Sequence, residues 1–197
     1  LGMRQRILDL IAFETKQATK GKESGITAKL NSLVDPQLIK ALYKASQAGV
    51  KIELNVRGVC CLQPKVDGKS ENIRVISIID RLLEHSRIIH FVHDGEQRVF
   101  ISSADWMPRN LDRRVELLVP VHSQSCKEFL LDSLRSNMAD NQNSHELQST
   151  GSYKRISAEG VTPHRSQQFL YLQTCDSVKL SQQTQSASFV PHQRMKS

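Results

Sequence analysis

The stretches Glu84-His85-Ser86-Arg87 and Ile101-Ser102-Ser103-Ala104-Asp105-Trp106 are the most informative part of this chain. Between them lies Asp94-Gly95, a dipeptide typical of tight turns. Residues 87–92 and 97–103, which flank the turn, are rich in apolar and β-branched residues. The sequence therefore predicts a β-hairpin whose open end carries both quoted stretches.

The open end of this hairpin concentrates groups that suit phosphate chemistry. His85 and Arg87 are two residues apart, so on a continuous strand they would point to the same side. Ser102 and Ser103 supply hydroxyls from the second strand. Ser103 can hydrogen-bond a phosphoryl oxygen, His85 can act as nucleophile or general acid and base, and Asp105 can orient the imidazole or pair with an arginine.

Helices and strands alternate along the first 140 residues, which predicts an α/β fold with a layered sheet flanked by helices. Apolar residues at helical spacing predict helices over residues 3–20, 35–48 and 123–138. Alternating or β-branched runs predict strands over residues 26–31, 50–57, 74–79 and 115–121.

The character of the chain changes after residue 140, so we divide it into three parts. Residues 1–140 are predicted to form the α/β domain, 141–172 an extension with a short hairpin (151–163) and a short helix (165–172), and 173–197 a polar tail. The tail is rich in Gln, Ser and Thr and offers little apolar surface to bury, so we expect it to be disordered.

The composition narrows the class of protein. The net charge of +7 suits a polyanionic ligand, whereas 5% aromatic residues offer no stacking platform for single-stranded nucleic acid. Four cysteines without a CxxC pair fit a reduced, cytoplasmic protein, with peripheral attachment to a membrane left open. No apolar run approaches the roughly 20 residues of a membrane span. The chain starts at Leu1-Gly2 inside a helical pattern, so we expect it to belong to something longer.

Four further residues are candidates for binding phosphate. Arg57 follows a predicted strand, at the end where ligands of open α/β sheets bind, and a guanidinium can clamp phosphate oxygens. Lys29 and Asn31 share one face of the first strand and can add donors to the same pocket. Arg109 lies in a basic loop that follows the hairpin. No cluster with metal-site spacing is evident, so no metal ligand is assigned.

The hairpin residues resemble the phospholipase D motif, in which H-x-K is followed by G-S-x-N. Arg87 stands in place of the lysine, Ser102-Ser103 in place of Gly-Ser, and Asp105 in place of the asparagine. These departures indicate a particular branch of that superfamily.

Five ordered motifs over roughly residues 1–172 resemble the second phospholipase D-like catalytic domain of polyphosphate kinases. They are Lys29-Leu30-Asn31-Ser32-Leu33-Val34-Asp35, Val56-Arg57-Gly58-Val59-Cys60, Ser70-Glu71-Asn72-Ile73-Arg74, Leu83-Glu84-His85-Ser86-Arg87 and the run from Ser102 to Arg114. The stretch from Gln173 onward does not resemble the family.

The resemblance implies a function. The family transfers the terminal phosphate of ATP to polyphosphate, reversibly and with Mg²⁺, through a phosphohistidine in a domain that this chain lacks. Arg57 would contact the nucleotide phosphates, and His85 would assist the leaving nucleotide as acid and base. The resemblance also implies a homo-oligomer in the full-length enzyme and Mg²⁺ ligands outside this chain. We expect the chain alone to have little or no kinase activity.

Two other functions stay open at this point. The chain could be a phospholipase D-type phosphodiesterase half-site that dimerises, although Arg87 and Asp105 depart from that motif. It could also be a non-catalytic module that binds polyanions. Binding to nucleic acid as tight as to polyphosphate at matched salt would favour this second alternative.

Overall fold

The computed structural model describes residues 2–156 and 160–184, which form one eight-stranded sheet with helices on both faces. The strands are Gly25–Leu30 (β1), Lys51–Val56 (β2), Ile73–Ile78 (β3), Arg87–Phe91 (β4), Arg98–Ser102 (β5), Leu118–Val121 (β6), Ser144–Leu147 (β7) and Tyr153–Arg155 (β8). The helices are Met3–Ala18 (α1), Pro36–Gln47 (α2), Pro108–Arg113 (α3), Gln124–Met138 (α4) and Ser166–Thr184 (α5).

The sheet combines a parallel centre with antiparallel edges. Its order is β6-β5-β4-β1-β2-β3-β7-β8, and β1, β2 and β3 are parallel to one another. The strands β4, β5 and β6 are antiparallel on one side, as are β7 and β8 on the other. The predicted α/β layered sheet and the predicted β4–β5 hairpin are both confirmed.

Neighbouring residues of β4 show how the two faces are covered. Ile89 belongs to the main core, together with Ile7 of α1 and Leu38 of α2. Ile88 points to the other face and packs with Leu134 of α4. Because successive strand residues alternate between faces, α1 and α2 cover one side of the sheet and α4 covers the other.

The start of α2 follows from its first two residues. The Asp35 carboxylate accepts hydrogen bonds from the backbone N–H groups of Gln37 and Leu38, both at 3.0 Å, and Pro36 occupies the first turn. This is the N-cap and proline arrangement that the sequence predicts. Arg4 of α1 also donates to Asp35, at 2.9 Å, and so ties α1 to the capped end of α2.

Two elements between β5 and α4 differ from the predictions. Residues 108–113 form the short helix α3 where the sequence indicates a loop, since Pro108 favours the first helical turn. The strand predicted over 115–121 is shorter, because only Leu118–Val121 pairs with β5. Pro120 is tolerated there because β6 is an edge strand.

The C-terminal elements also differ from the predicted extension. A hairpin forms, but its strands are β7 and β8, and β7 joins the central sheet beside β3. The helix predicted over 165–172 continues to Thr184, where we expected disorder from Gln173. Leucine, lysine and glutamine are good helix formers, so a polar composition does not prevent a helix. Residues 185–197 lie outside the described residues, and the division at residue 140 stays a prediction.

Candidate functional site

The candidate residues meet at one edge of the sheet. Asn31 follows β1 directly and Arg57 follows β2, both at the carboxyl ends of parallel strands. Strand β4 runs antiparallel to β1 and begins at Arg87, so its first residue lies at the same edge. This is the edge at which open α/β sheets bind ligands.

His85 is exposed and precedes β4, so it is not on the strand where we expected it. Its side chain nevertheless contacts Arg87, with Arg87 Nη1 3.1 Å from Nδ1 of His85. The same Nη1 donates to the backbone carbonyl of His85 at 2.9 Å. The predicted neighbourhood of the two side chains is thus present, but it comes from the arginine folding back and not from strand alternation.

Arg87 and Asp105 form a largely buried ion pair. Arg87 Nη2 donates to one carboxylate oxygen of Asp105 at 2.8 Å, and Nε donates to the other at 3.2 Å. That second oxygen also accepts from the backbone N–H groups of Asn31 and Ser32, at 2.8 and 3.1 Å. Burial alone would raise the pKa of Asp105, but these hydrogen bonds outweigh it and hold the pKa below its usual value. Of the two expected roles for Asp105, pairing with an arginine is the one observed.

Lys29 is a buried cation beside this pair. It lies in β1, is 8% exposed, and its amine contacts the carboxylate of Glu84. Burial, and next the nearby Arg57 guanidinium, lower the pKa of Lys29 to about 8. The Glu84 carboxylate acts in the opposite direction, because a neighbouring negative charge favours the ammonium form.

Asn31 carries a free donor in the same place. Its side chain is 7% exposed, and Nδ2 has no hydrogen-bond partner within the described part of the chain. Buried polar groups are nearly always paired, so an unpaired donor at a ligand-binding edge fits a ligand atom. Lys29 is paired in register with Asn55, whose Nδ2 donates to Asn137 of α4 at 2.8 Å.

The two remaining arginine candidates are more accessible. Arg57 is half-buried, and its backbone N–H donates to the Leu30 carbonyl at 3.2 Å, which fixes the end of β2 against β1. Arg109 is exposed in the first turn of α3. Both guanidiniums can therefore reach a ligand in solvent.

Ser103 is engaged within the protein. Its hydroxyl contacts the carboxylate of Glu116 and accepts from the backbone N–H of Leu117 at 3.0 Å. The Ser103 hydroxyl, and less strongly the amide of Asn110, hold the pKa of Glu116 below its usual range. The hydroxyl of Ser103 would have to leave Glu116 to bind a phosphoryl oxygen.

Glu84, Asn55 and Gln167 are not among the site residues predicted from the sequence. Glu84 is adjacent to His85 in the motif, and this adjacency is the sequence signal that could have identified it. Gln167 lies on α5, yet its amide donates to Glu84 at 2.9 Å. A contact across 83 positions leaves no local pattern in the sequence.

The carboxylates near this edge do not fit a resident Mg²⁺ ion, which needs several free oxygen ligands. Asp105 is saturated by Arg87 and backbone N–H groups, Glu84 is bound by Lys29 and Gln167, and Glu116 by Ser103 and Asn110. Across residues 2–156 and 160–184 no group of three His, Cys, Asp or Glu side chains is placed to hold a metal. None of the helices in these residues has the length and apolar character to cross a bilayer.

The arrangement can bind and polarise a phosphoryl group. Lys29 and Arg57 supply positive charge, Asn31 supplies a neutral donor, and His85 places an exposed imidazole at the same edge. Phosphoryl transfer depends mainly on positioning and on charge stabilisation.

The fold is that of a phospholipase D-like domain. The structure of Nuc from Salmonella typhimurium, a phospholipase D family member, superposes with a TM-score of 0.50 at 14% identity, covering 68% of this chain and 89% of Nuc. At this identity the likeness concerns the fold alone.

The chain belongs to the polyphosphate kinase C-terminal domain 2 family, whose profile matches residues 1–167. The crystal structure of polyphosphate kinase from Porphyromonas gingivalis superposes with a TM-score of 0.87 at 38% identity, over 90% of this chain and 27% of that one. Polyphosphate kinases from Rhodopirellula baltica and Synechocystis sp. are 50% and 51% identical over 98% and 85% of this chain. The chain spans 23% of the length of each of these two relatives.

Proposed function

We propose that this chain is the C-terminal phosphate-handling part of a polyphosphate kinase, which reversibly transfers the terminal phosphate of ATP to inorganic polyphosphate. The observation that carries the proposal is the exposed His85, held by Arg87 at the edge where Lys29, Asn31 and Arg57 converge. The family membership supports the same conclusion.

His85 is proposed as the general acid and base for the leaving nucleotide. An arginine side chain only donates hydrogen bonds, and Arg87 approaches Nδ1 of His85 more closely (3.1 Å from Nη1) than Nε2 (3.5 Å from Nη2), which favours an imidazole with Nδ1 unprotonated. The proton of the neutral ring is then on Nε2, which can give it to a departing phosphate oxygen. Arg87 itself is occupied by Asp105 and His85, so we propose that it positions the imidazole, and contacts phosphate only as a secondary role.

The direct phosphate ligands are proposed to be Arg57, Lys29, Asn31 and Arg109. Arg57 and Arg109 reach solvent, and the buried Lys29 and Asn31 line the base of the site. Ser103 would join them after exchanging Glu116 for a phosphoryl oxygen. Asp105 supports this set by fixing Arg87 and the backbone of Asn31.

The site supplies one half of the chemistry. We propose that the phosphohistidine and the Mg²⁺ ligands lie in other domains of the full-length enzyme, and that the chain alone has little or no kinase activity. We also propose that the full-length enzyme is a homo-oligomer and that nucleic acid has no role in its function. Its proposed location is the cytoplasm, where it can also attach peripherally to a membrane.

Calorimetry with long-chain polyphosphate and with ATP tests whether this edge is a preformed half-site. Arg57→Ala should weaken binding by about 1.5–3 kcal/mol, as for a lost hydrogen bond to a charged group. Arg98→Ala is the matched control, because Arg98 lies opposite Phe91 in the register of β4 and β5, at the end of the hairpin far from the site. Equal effects of the two substitutions would contradict the proposal, and equally tight binding of single-stranded DNA at matched salt would favour a general polyanion-binding module.

A hybrid enzyme tests the catalytic role. In it this chain replaces the matching 23% of the Rhodopirellula baltica polyphosphate kinase. The hybrid should make polyphosphate from ATP, whereas its His85→Ala variant should lose most of the activity, since general acid–base catalysis contributes about 10²–10⁴-fold. A fully active His85→Ala hybrid would exclude the proposed role of His85.

A further inference from the structure

The first turn of α5 holds the segment that carries His85. Gln167 is 8% exposed, and its carboxamide makes three hydrogen bonds to this segment. Oε1 accepts from the backbone N–H of Leu82 at 2.8 Å, and Nε2 donates to the carbonyl of the same residue at 2.8 Å. Nε2 also donates to Glu84 at 2.9 Å. One side chain thus fixes both backbone groups of Leu82 and the residue next to His85.

Glu84 is held from two sides. One carboxylate oxygen accepts from Gln167, and the other contacts the amine of Lys29 in β1. The next residue, His85, is tied through its carbonyl and its ring to Arg87. A continuous set of polar contacts therefore leads from α5 to the imidazole.

The segment between β3 and β4 has little else to hold it. It has no regular secondary structure, and its large apolar side chains are mostly exposed, with Ile79 71%, Leu82 56% and Leu83 79% accessible. Segments that bury few apolar contacts open easily, so hydrogen bonds determine where this one lies.

The N-terminal end of α5 is itself fixed to the rest of the domain. The backbone N–H of Ser166 donates to Asp140 at 2.8 Å, directly after α4. Arg165 Nε donates at 2.8 Å to Asp80, which lies near the start of the segment between β3 and β4. Gln167 therefore acts from a rigid support.

We propose that Gln167 is a positioning residue that sets the place of His85 through Leu82 and Glu84. The inference rests on the proposed function, because it assigns Gln167 to the reaction in which His85 takes part. Gln167 is not among the proposed phosphate ligands, so its loss would leave those side chains in place on the sheet and would loosen the segment that carries Glu84 and His85.

Two substitutions separate the hydrogen bonds from the packing. Gln167→Met keeps the length of the side chain and the helix propensity but removes all three hydrogen bonds. Gln167→Ala removes the hydrogen bonds and the packing of the side chain together. Gln168→Ala is the matched control, because Gln168 is the adjacent residue of the same type and its side chain is exposed.

In the hybrid enzyme, Gln167→Met and Gln167→Ala should lower kcat on the order of 10- to 100-fold, the size expected for a small displacement of a catalytic group. The KM for ATP should change by less than about twofold, since lost transition-state positioning appears in kcat. Gln168→Ala should behave as the unsubstituted hybrid. Wild-type kcat in Gln167→Met would overturn the inference.

Hydrogen exchange in the 197-residue chain gives a readout that needs no activity. Gln167→Met should speed exchange at the amides from Leu82 to His85, while exchange in β1 and β4 stays unchanged. Unchanged protection at Leu82, or faster exchange throughout the sheet, would overturn the inference. An active His85→Ala hybrid would instead reject the proposed function, so the two failures are distinguishable.

Discussion

Asp105 joins two strands through its two carboxylate oxygens. One oxygen accepts from Arg87 Nη2 at 2.8 Å, at the start of β4, and the other accepts from the backbone N–H of Asn31 at 2.8 Å, at the end of β1. The side chains of Arg87 and Asp105 are only 9% and 11% exposed. The edge that carries the candidate site is therefore held by a nearly buried charge pair.

Replacing Asp105 with asparagine should strongly destabilise the fold. The substitution keeps the shape of the side chain but leaves the buried Arg87 without a counter-charge. Breaking a buried pair in this way costs about 3–5 kcal/mol. Urea unfolding of the chain, followed by circular dichroism, measures the change in the free energy of unfolding.

The control for Asp105→Asn is Asp132→Asn on α4. Asp132 pairs with Arg135, but these side chains are 47% and 71% exposed. Exposed pairs contribute about 0–1 kcal/mol, so this variant should unfold near the wild-type midpoint. Similar losses in the two variants would show that burial of the Arg87–Asp105 pair is unimportant.

The elements that could be predicted from the sequence are those with local signals. Asp35-Pro36 marks the start of α2, and Asp94-Gly95 marks the turn between β4 and β5, where Asp94 and Gly95 have positive φ angles of 59° and 90°. The β7 strand, Ser144–Leu147, has no β-branched residue and gave no strand pattern. It forms because it pairs with β3, a neighbour that is distant along the chain.

The candidate site was also only partly predictable from local sequence signals. The residue types around His85 indicate phosphate chemistry, but which side chains are free to bind could not be predicted. Arg87 and Ser103 are both candidates by sequence, yet Asp105 and Glu116 occupy them in the structure. These pairings depend on tertiary contacts, which short-range spacing does not encode.

Gly58 should not tolerate a side chain. A Cβ at this position would lie 2.8 Å from the backbone carbonyl oxygen of Asn31, closer than real Cβ contacts allow. Since the obstacle is backbone, Gly58→Ala must separate the ends of β1 and β2, at a cost of about 1–3 kcal/mol. Urea unfolding measures this cost, and calorimetry should also show weaker binding of polyphosphate.

The control for Gly58→Ala is Gly2→Ala, where an added Cβ meets nothing within 4 Å. It should leave binding unchanged and lower the free energy of unfolding by less than about 1 kcal/mol, because Gly2 is the N-cap of α1, where alanine is less favourable than glycine. Wild-type binding by a folded Gly58→Ala variant would mean that the spacing of these two strand ends does not matter for the ligand.

The Asp80–Arg165 pair should stop contributing to the free energy of unfolding in acid. The hydrogen bond from Arg165 is the main reason that the pKa of Asp80 is lowered to about 2. A carboxyl whose pKa is lower in the folded state stabilises the fold above its unfolded pKa of about 3.9, and loses this effect as the pH falls toward 2. The difference in urea midpoint between the wild type and Asp80→Asn should therefore be constant above about pH 5 and shrink between about pH 5 and 2. A constant difference down to pH 2 would contradict the lowered pKa.

Lys29 should make polyphosphate binding depend on pH. Burial and the neighbouring Arg57 lower the pKa of Lys29 to about 8, so its amine loses the proton between about pH 7 and 9. Only the ammonium form attracts a polyanion, and binding should weaken by up to about tenfold by pH 9, where on the order of a tenth of the amine stays charged. Calorimetric titrations with polyphosphate at fixed ionic strength measure this profile.

Lys29→Arg separates this titration from other effects of pH. A guanidinium keeps its charge throughout the range, so the variant should bind polyphosphate with nearly constant affinity from pH 7 to 9. If the wild type and Lys29→Arg follow the same pH profile, the dependence arises elsewhere. The contact with Glu84 would then hold Lys29 fully charged, and Lys29 would serve to fix the segment that carries His85.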